Sequence, residues 1–222
     1  MVKRGQVTAF IIVGILILAV LVLFFVLQQG VFEQKAEEAR RIAEQVPLEF
    51  EPIQRYTQDC AAIVAERGLV RLGQQGGYIR PDEWHGLHFG EDLTDSDGLT
   101  LGGDVHVPYW LYNSAANRAN VIQLPTLQPT IEQMETELGR WVTEELQFCQ
   151  DGYRSFAEQG FVVEQDAPDV VVSIGNNVQV QVEQPLRVSR EGRQIDMSHF
   201  FAEFDVNLAH LHEVASTIWQ AQ

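Results

Sequence analysis

The chain has 222 residues, 15 basic against 31 acidic, for a net charge of −16 at neutral pH. Affinity for nucleic acid or anionic lipid rests on Lys and Arg neutralising phosphate, so this balance excludes nucleic-acid binding. With 45% hydrophobic residues, the chain has the material for a core and is not a disordered tail.

Lys3 and Arg4 precede a charge-free run over residues 7–27. At about 1.5 Å per residue the run spans roughly 31 Å, the thickness of a bilayer's hydrocarbon core. A cleaved secretory signal competes, but its apolar core is shorter and ends in a small-x-small site, whereas QQGVFEQK follows here. The run therefore predicts a retained membrane helix. The positive-inside rule then makes residues 1–6 a cytoplasmic basic tail, gives a transmembrane helix over 7–28, and leaves everything beyond it outside. That outer part holds 13 basic and 31 acidic residues, a net of −18. Only Lys3 and Lys35 are lysines. Such charge, with arginine in place of lysine, predicts a halophilic protein whose self-repulsion is screened by concentrated salt. Gly14 has Phe10 four residues before it and Leu18 four after, so the helix lacks a small-xxx-small seam for pairing in lipid.

Residues 29–51 read as a helical stalk, with Phe32, Ala36, Ala39, Ala43 and Val46 on one seam. It is either a coiled coil joining subunits or a membrane helix that runs on and packs against its own domain. Alanine at three of the five seam positions favours the second.

Residues 52–222 predict an extracytoplasmic α+β domain of helices packed on a small antiparallel β-meander, closed by a C-terminal helix. Pro52 suits the first turn of a helix over 53–73, with Ile53, Tyr56, Cys60, Ile63, Val64 and Val70 on its apolar face. Gly76 and Gly77 end it. Residues 78–127 are irregular and rich in Gly, Asp and Asn, with an edge strand over 105–112 that Pro108 keeps from a sheet interior. Thr130 and Gln133 have the spacing of a capping box. They open a helix whose inner face carries Ile131, Met134, Leu138, Trp141, Val142, Leu146 and Cys149. After Gly160 the apolar period changes from 3.6 to 2, giving strands over 161–164, 170–174, 178–183 and 194–206. Turns fall at Gly175-Asn176-Asn177 and Arg190-Glu191-Gly192. Asn207 caps a last amphipathic helix with Leu208, Leu211, Val214, Ala215 and Ile218 on its apolar face.

Cys60 and Cys149 are the two cysteines, both on apolar helix faces beyond the membrane run, and an even pair there predicts a disulfide. The acidic stretch with Asp95, Asp97 and Asp104 resembles half of a calcium loop. Leu93 occupies the first ligand position and no bidentate Glu closes the loop, so a solvated turn is favoured. His85 and His88, in WHGLH, lack the helix-borne HExxH pattern of a zinc site. No metal site is predicted beyond these weak candidates, and no cofactor. GxSxG, GxxxxGK[ST], GxGxxG and CxxC are all missing, so the expected protein is non-enzymatic.

Two resemblances follow from particular motifs. Lys3-Arg4-Gly5 before Gln6 and the apolar run resembles an archaeal class III, type IV pilin-like signal. That resemblance implies cleavage after Gly5 and a filament built on the apolar helix, although Phe10 stands at the fifth mature position where many members carry an acid. Cys60, ERGLVRLGQQGGYI over 66–79, VPYWLY over 107–112, Cys149 and PLRV over 185–188 resemble a group of membrane-anchored surface proteins of small-celled DPANN archaea. The resemblance implies a place and an architecture, not a reaction. The expectation is a single-pass cell-surface protein with a structural, adhesive or scaffold role. Its partners would be the lipid bilayer, other surface proteins, and its own copies in an oligomer or filament. The alternatives are a pilin-like subunit, and a ligand-binding or enzymatic module in residues 78–127.

Overall fold

A computed structural model describes residues 46–90, 92, 96–110 and 127–220, with positions 14, 15 and 17. Gly14, Ile15 and Ile17 are helical. The remainder of the predicted membrane helix, the stalk up to residue 45, Gly5, Gln6 and Asp95 lie outside the described residues. Among the described residues no helix is long and apolar enough to cross a membrane. The chain divides into two units, Met1–Gln45 and Val46–Gln222, and the second carries the α+β fold.

Two long helices and a four-stranded antiparallel sheet build that second unit. Helix α1, Glu51–Gln74, opens with Pro52 in its first turn, where a missing N–H costs nothing. It closes where Gly76 (φ 64°) and Gly77 (φ 96°) turn left-handed, and the Gly77 N–H reaches back to the Leu72 carbonyl at 2.8 Å. Phe50, in the turn just before α1, is already buried in the core, so that core begins ahead of residue 52. Short helix α2, Pro81–His85, follows, and then the hairpin of β1, Gly98–Thr100, and β2, His106–Pro108. Buried Gln75 ties this hairpin to the end of α1: its amide accepts from the His106 N–H at 2.9 Å and donates to the Ile79 carbonyl at 2.6 Å.

Helix α3, Ile131–Gln150, begins with the predicted capping box. Gln133 N–H donates to Thr130 Oγ1 at 3.1 Å, and Thr130 N–H to Gln133 Oε1 at 2.8 Å. After α3 the chain reverses through three successive left-handed residues, Asp151, Gly152 and Tyr153, into the short helix α4, Arg154–Ala157. The strands are β3, Val162–Gln165, β4, Asp169–Ile174, β5, Val178–Arg190, and β6, Arg193–Phe204. The turn between β5 and β6 holds Glu191 and Gly192 at positive φ, as a tight hairpin requires.

Only β4, β5 and β6 form a meander. Strand β5 is longer than its alternating pattern alone suggests and runs on through Pro185. Its first half pairs with β4 and its second half with β3, while β6 pairs along its whole length. So β3 and β4 share one edge of β5 and β6 takes the other. A bulge between Glu183 and Leu186 accommodates the proline, which cannot donate to the ladder. Alternation survives it: Val178, Val180, Val182, Leu186 and Val188 all face the core, while Glu183 and Arg187 face solvent. Helix α3 lies against β4 and α1 against β6, so one sheet face is covered and the other is wet. One buried polar pair, Gln150 with Gln184, sits between helix and sheet with both amides hydrogen-bonded, at 2.7 and 3.2 Å.

Two expected faces are corrected. Ile63 and Val70 of α1 are exposed, whereas Ile53, Cys60 and Val64 are buried as expected, Tyr56 packs on the core, and Thr57, Ala61, Ala65, Gly68 and Leu72 complete the inward side. Helix α5, Leu208–Gln220, is capped by Asn207 Oδ1 accepting the His210 N–H at 3.0 Å, as expected. Leu208 of the predicted face packs against the core with Ala209, and His212 and Ser216 add polar contacts with Gln128 and the Pro129 carbonyl. Leu211, Val214 and Ile218 stand exposed.

The core also sets a response to alkali. Tyr153 is buried, and its hydroxyl bonds to Thr57 Oγ1 at 2.8 Å. Burial pushes its pKa up from 10.0 to about 12, with the Thr57 bond opposing the rise. A folded-state pKa raised in this way leaves stability intact below pH 10. Above it the unfolded chain releases the proton first, and stability falls by about 2–3 kcal/mol as pH approaches 12. Urea titrations between pH 8 and 11.5 should show this fall. Tyr153→Phe should flatten it while costing about 1 kcal/mol at neutral pH for the lost hydrogen bond. An unchanged alkaline slope in that variant would refute the assignment.

Candidate functional site

The disulfide is the fixed point of the region. Cys60 of α1 and Cys149 of α3 are bonded, with Cα atoms 5.7 Å apart, inside the range a bridge demands. Cys60 is buried, and Val64, Trp141 and Leu146 shield the bond as their helix faces predict. Tyr56 Oη donates to the Cys149 carbonyl at 2.8 Å, closing that end of the helix pair. Further along, Trp141 Nε1–H donates to the Val64 carbonyl at 3.0 Å. Gly68 permits the close approach there: a Cβ at this position would lie 2.6 Å from both Leu138 Cδ1 and Trp141 Cδ1.

Small residues, Ala61, Ala65 and Gly68, lie among Ile53, Val64 and Leu72 on the inward side of α1, and Ile63 and Val70 are left outside. Ile63 and Val70 border a groove of about 940 Å³ between α1 and α3, with Phe148 on the facing wall and Trp141 and Cys149 in its floor. Phe148 is 71% exposed, too much for a core residue. Arg67 and Arg71 sit between and beside the apolar residues, with the carboxylates Glu66, Asp104 and Glu145 in the same lining. Arg71 approaches the exposed Asp104 carboxylate at 3.9 Å, whereas Arg67 has no ion pair, hydrogen bond or ring contact among the described residues.

One wall of the groove is stiffened by a ladder of arginines and tryptophans. Arg71 stands over Trp141 at 5.6 Å, Arg80 over Trp141 at 5.1 Å and over Trp84 at 5.3 Å, and Arg140 over Trp84 at 4.3 Å. Arg80 also binds Glu144 at 3.0 Å and Glu145 at 2.8 Å. Planar guanidinium groups stack on rings and bond carboxylates at once, which an ammonium does not. This accounts for arginine here on local grounds, beside any demand of salt.

Among the described residues the histidine and aspartate candidates do not converge on one site. His85 Nε2 pairs with Glu137, a buried carboxylate that also accepts the Ile79 N–H at 2.6 Å. Tyr78 meets the His85 ring edge-on at 5.1 Å and donates to the Leu127 carbonyl at 2.6 Å. Burial, and secondarily the Glu137 charge, raises the Tyr78 pKa. His88 contributes its backbone N–H to the Asp97 carboxylate at 2.8 Å, and Asp104 points to solvent. Among the described residues no three His, Cys, Asp or Glu side chains are placed to hold a metal ion. The His85–Glu137 pair was invisible in the sequence, where 52 positions separate its members. The arginine ladder was equally so, because its rungs come from three helices and from Arg80 in the turn before α2.

Comparison of the chain with protein-family models, with curated proteins and with solved structures gives no match. What the geometry defines is a disulfide-braced α+β domain with an open groove of mixed apolar and charged lining.

Proposed function

We propose that this chain is a single-pass, membrane-anchored cell-surface protein whose outer domain serves a non-enzymatic scaffold or adhesive role through its α1–α3 groove. The observation that carries the reading is the Cys60–Cys149 bond, since structural disulfides persist in oxidising compartments and are rare in the cytosol. The charge-free run over 7–27 supports the anchor, and Lys3 and Arg4 before it support an outward-facing domain. An open groove with exposed apolar walls suits a protein partner better than a small ligand, which binds in enclosed, largely apolar cavities. The −18 charge of the outer part and its near-lack of lysine support a salty habitat, where screening permits approach of like-charged neighbours.

The Lys3-Arg4-Gly5-Gln6 sequence favours a second reading, a pilin-like filament subunit cleaved after Gly5. N-terminal sequencing of native protein from the membrane fraction separates the two: a start at Met1 indicates the anchor, a start at Gln6 the filament. Protease shaving of intact cells should release fragments of the 46–222 unit with the bridge intact. Recovery from the cytosol with both thiols titratable would overturn both readings.

A further inference from the structure

The two sulfurs of the bridge belong to residues that are not equally placed. Cys60 is 2% exposed and belongs to the core on the inward side of α1. Cys149 is only partly buried, and it lines the open groove between α1 and α3. Ile63 and Phe148, in the same lining, are 43% and 71% exposed, so they stand out into solvent. The shielding of the bond is therefore one-sided. Charge does not bias the approach, because Arg67 and Arg71 share the lining with Glu66, Asp104 and Glu145. In thiol–disulfide exchange a thiolate attacks one sulfur of the bond, and access decides which.

We propose that Cys149, reached from the groove, is the exchange site of the folded domain, and that the reagent it meets is a dithiol oxidoreductase of the outer compartment. A thiolate of the dithiol attacks Cys149 Sγ. A mixed disulfide forms, the Cys60–Cys149 bond breaks, and its electron pair leaves on Cys60 Sγ, which takes up a proton. The second thiol of the reagent then attacks the first, closing the reagent's own disulfide and releasing Cys149 as a thiol. Two electrons pass from dithiol to protein. Run backwards, the same path makes the bond after the helices have packed: the Cys149 thiolate attacks the oxidised reagent, and Cys60 resolves the mixed disulfide. An oxidising compartment still favours the closed bridge. The presence of the oxidoreductase rests on the outward-facing reading above, whereas the exchange site is a property of the protein itself.

The test uses purified full-length protein in detergent, with glutathione as the attacking thiol. Exchange is quenched in acid, free thiols are alkylated under denaturing conditions, and peptides are read by mass spectrometry. The expected product carries glutathione on Cys149 and a free thiol at Cys60, in at least about tenfold excess over the reverse adduct. In concentrated urea, where both sulfurs are solvated, the two adducts approach parity. The rate under native conditions should rise in proportion to glutathione, as direct attack requires. Ile63→Trp, which adds bulk within the groove, should slow that rate at least about fivefold through lost access. It should leave the urea midpoint in place, because Ile63 is outside the core. A native adduct mainly on Cys60, or shared equally, would overturn the proposal. So would a rate that saturates with glutathione, since the bond would then open only in unfolded chains. An unchanged rate in Ile63→Trp would place the entry outside the groove and overturn it too. Recovery of the protein from the cytosol would refute the outward-facing reading and leave the adduct on Cys149 standing.

Discussion

Replacing both bridged cysteines, Cys60→Ala with Cys149→Ala, lowers the free energy of unfolding by about 4–5 kcal/mol. The bond joins residues 89 apart, and closing a loop of that length removes that much conformational freedom from the unfolded chain. The native state loses little, since Tyr56, Val64, Trp141 and Leu146 still pack the seam between α1 and α3. For a domain of this size the loss shifts the thermal midpoint down by roughly 10–20 °C. Alanine is the substitution of choice because serine would bury a hydroxyl beside Cys60, which is 2% exposed. Calorimetry of the two proteins at matched pH and salt measures the shift. A drop of under 3 °C would show that the bridge holds the fold hardly at all, and would point to a redox role for the pair.

Trp141→Ala lowers stability by about 3–5 kcal/mol, the usual cost of deleting a large buried aromatic ring. The ring is 7% exposed and bonded through Nε1–H to the Val64 carbonyl. Its loss also leaves Arg71 and Arg80 without one of their stacking faces and hollows the floor of the groove. Gly68→Ala by itself costs about 2 kcal/mol, since overpacking a full seam outweighs the helix propensity gained. The two changes meet in space: the added methyl would press on Trp141 Cδ1. In the Trp141→Ala background that half of the clash is gone, so Gly68→Ala becomes cheaper by about 1 kcal/mol. Urea unfolding of the four proteins in the cycle measures the coupling. Strict additivity would mean that α1 and α3 do not touch at this point.

Where the pattern is local, sequence and structure agree closely. Pro52, Gly76 and Gly77 delimit α1, Thr130 and Gln133 cap α3, and Asn207 starts α5, because caps and breakers act on the three or four residues beside them. Alternating valines over 178–182 and the Glu191-Gly192 turn mark the β5–β6 hairpin for the same reason. The cysteine pair was legible from number and placement alone, and its bond bears that out.

Tertiary contact decided the rest. Ile63 and Val70 look like core by their chemistry, yet the side of α1 that meets α3 is the one bearing Val64, Gly68 and Leu72, with Gly68 allowing the close approach, and Ile63 and Val70 are turned out to the groove. Leu211, Val214 and Ile218 look like an inner face, yet α5 is held by Leu208 and Ala209 at its start and by His212 and Ser216, which bond the Pro129 carbonyl and Gln128. Strand β3 pairs with β5 because the bulge at Pro185 lets β5 continue past β4, a consequence no window of a few residues contains. Glu137 and His85 meet across 52 positions for the same reason. A sequence records which side chains dislike water. Which of them escape it depends on how near two backbones can come.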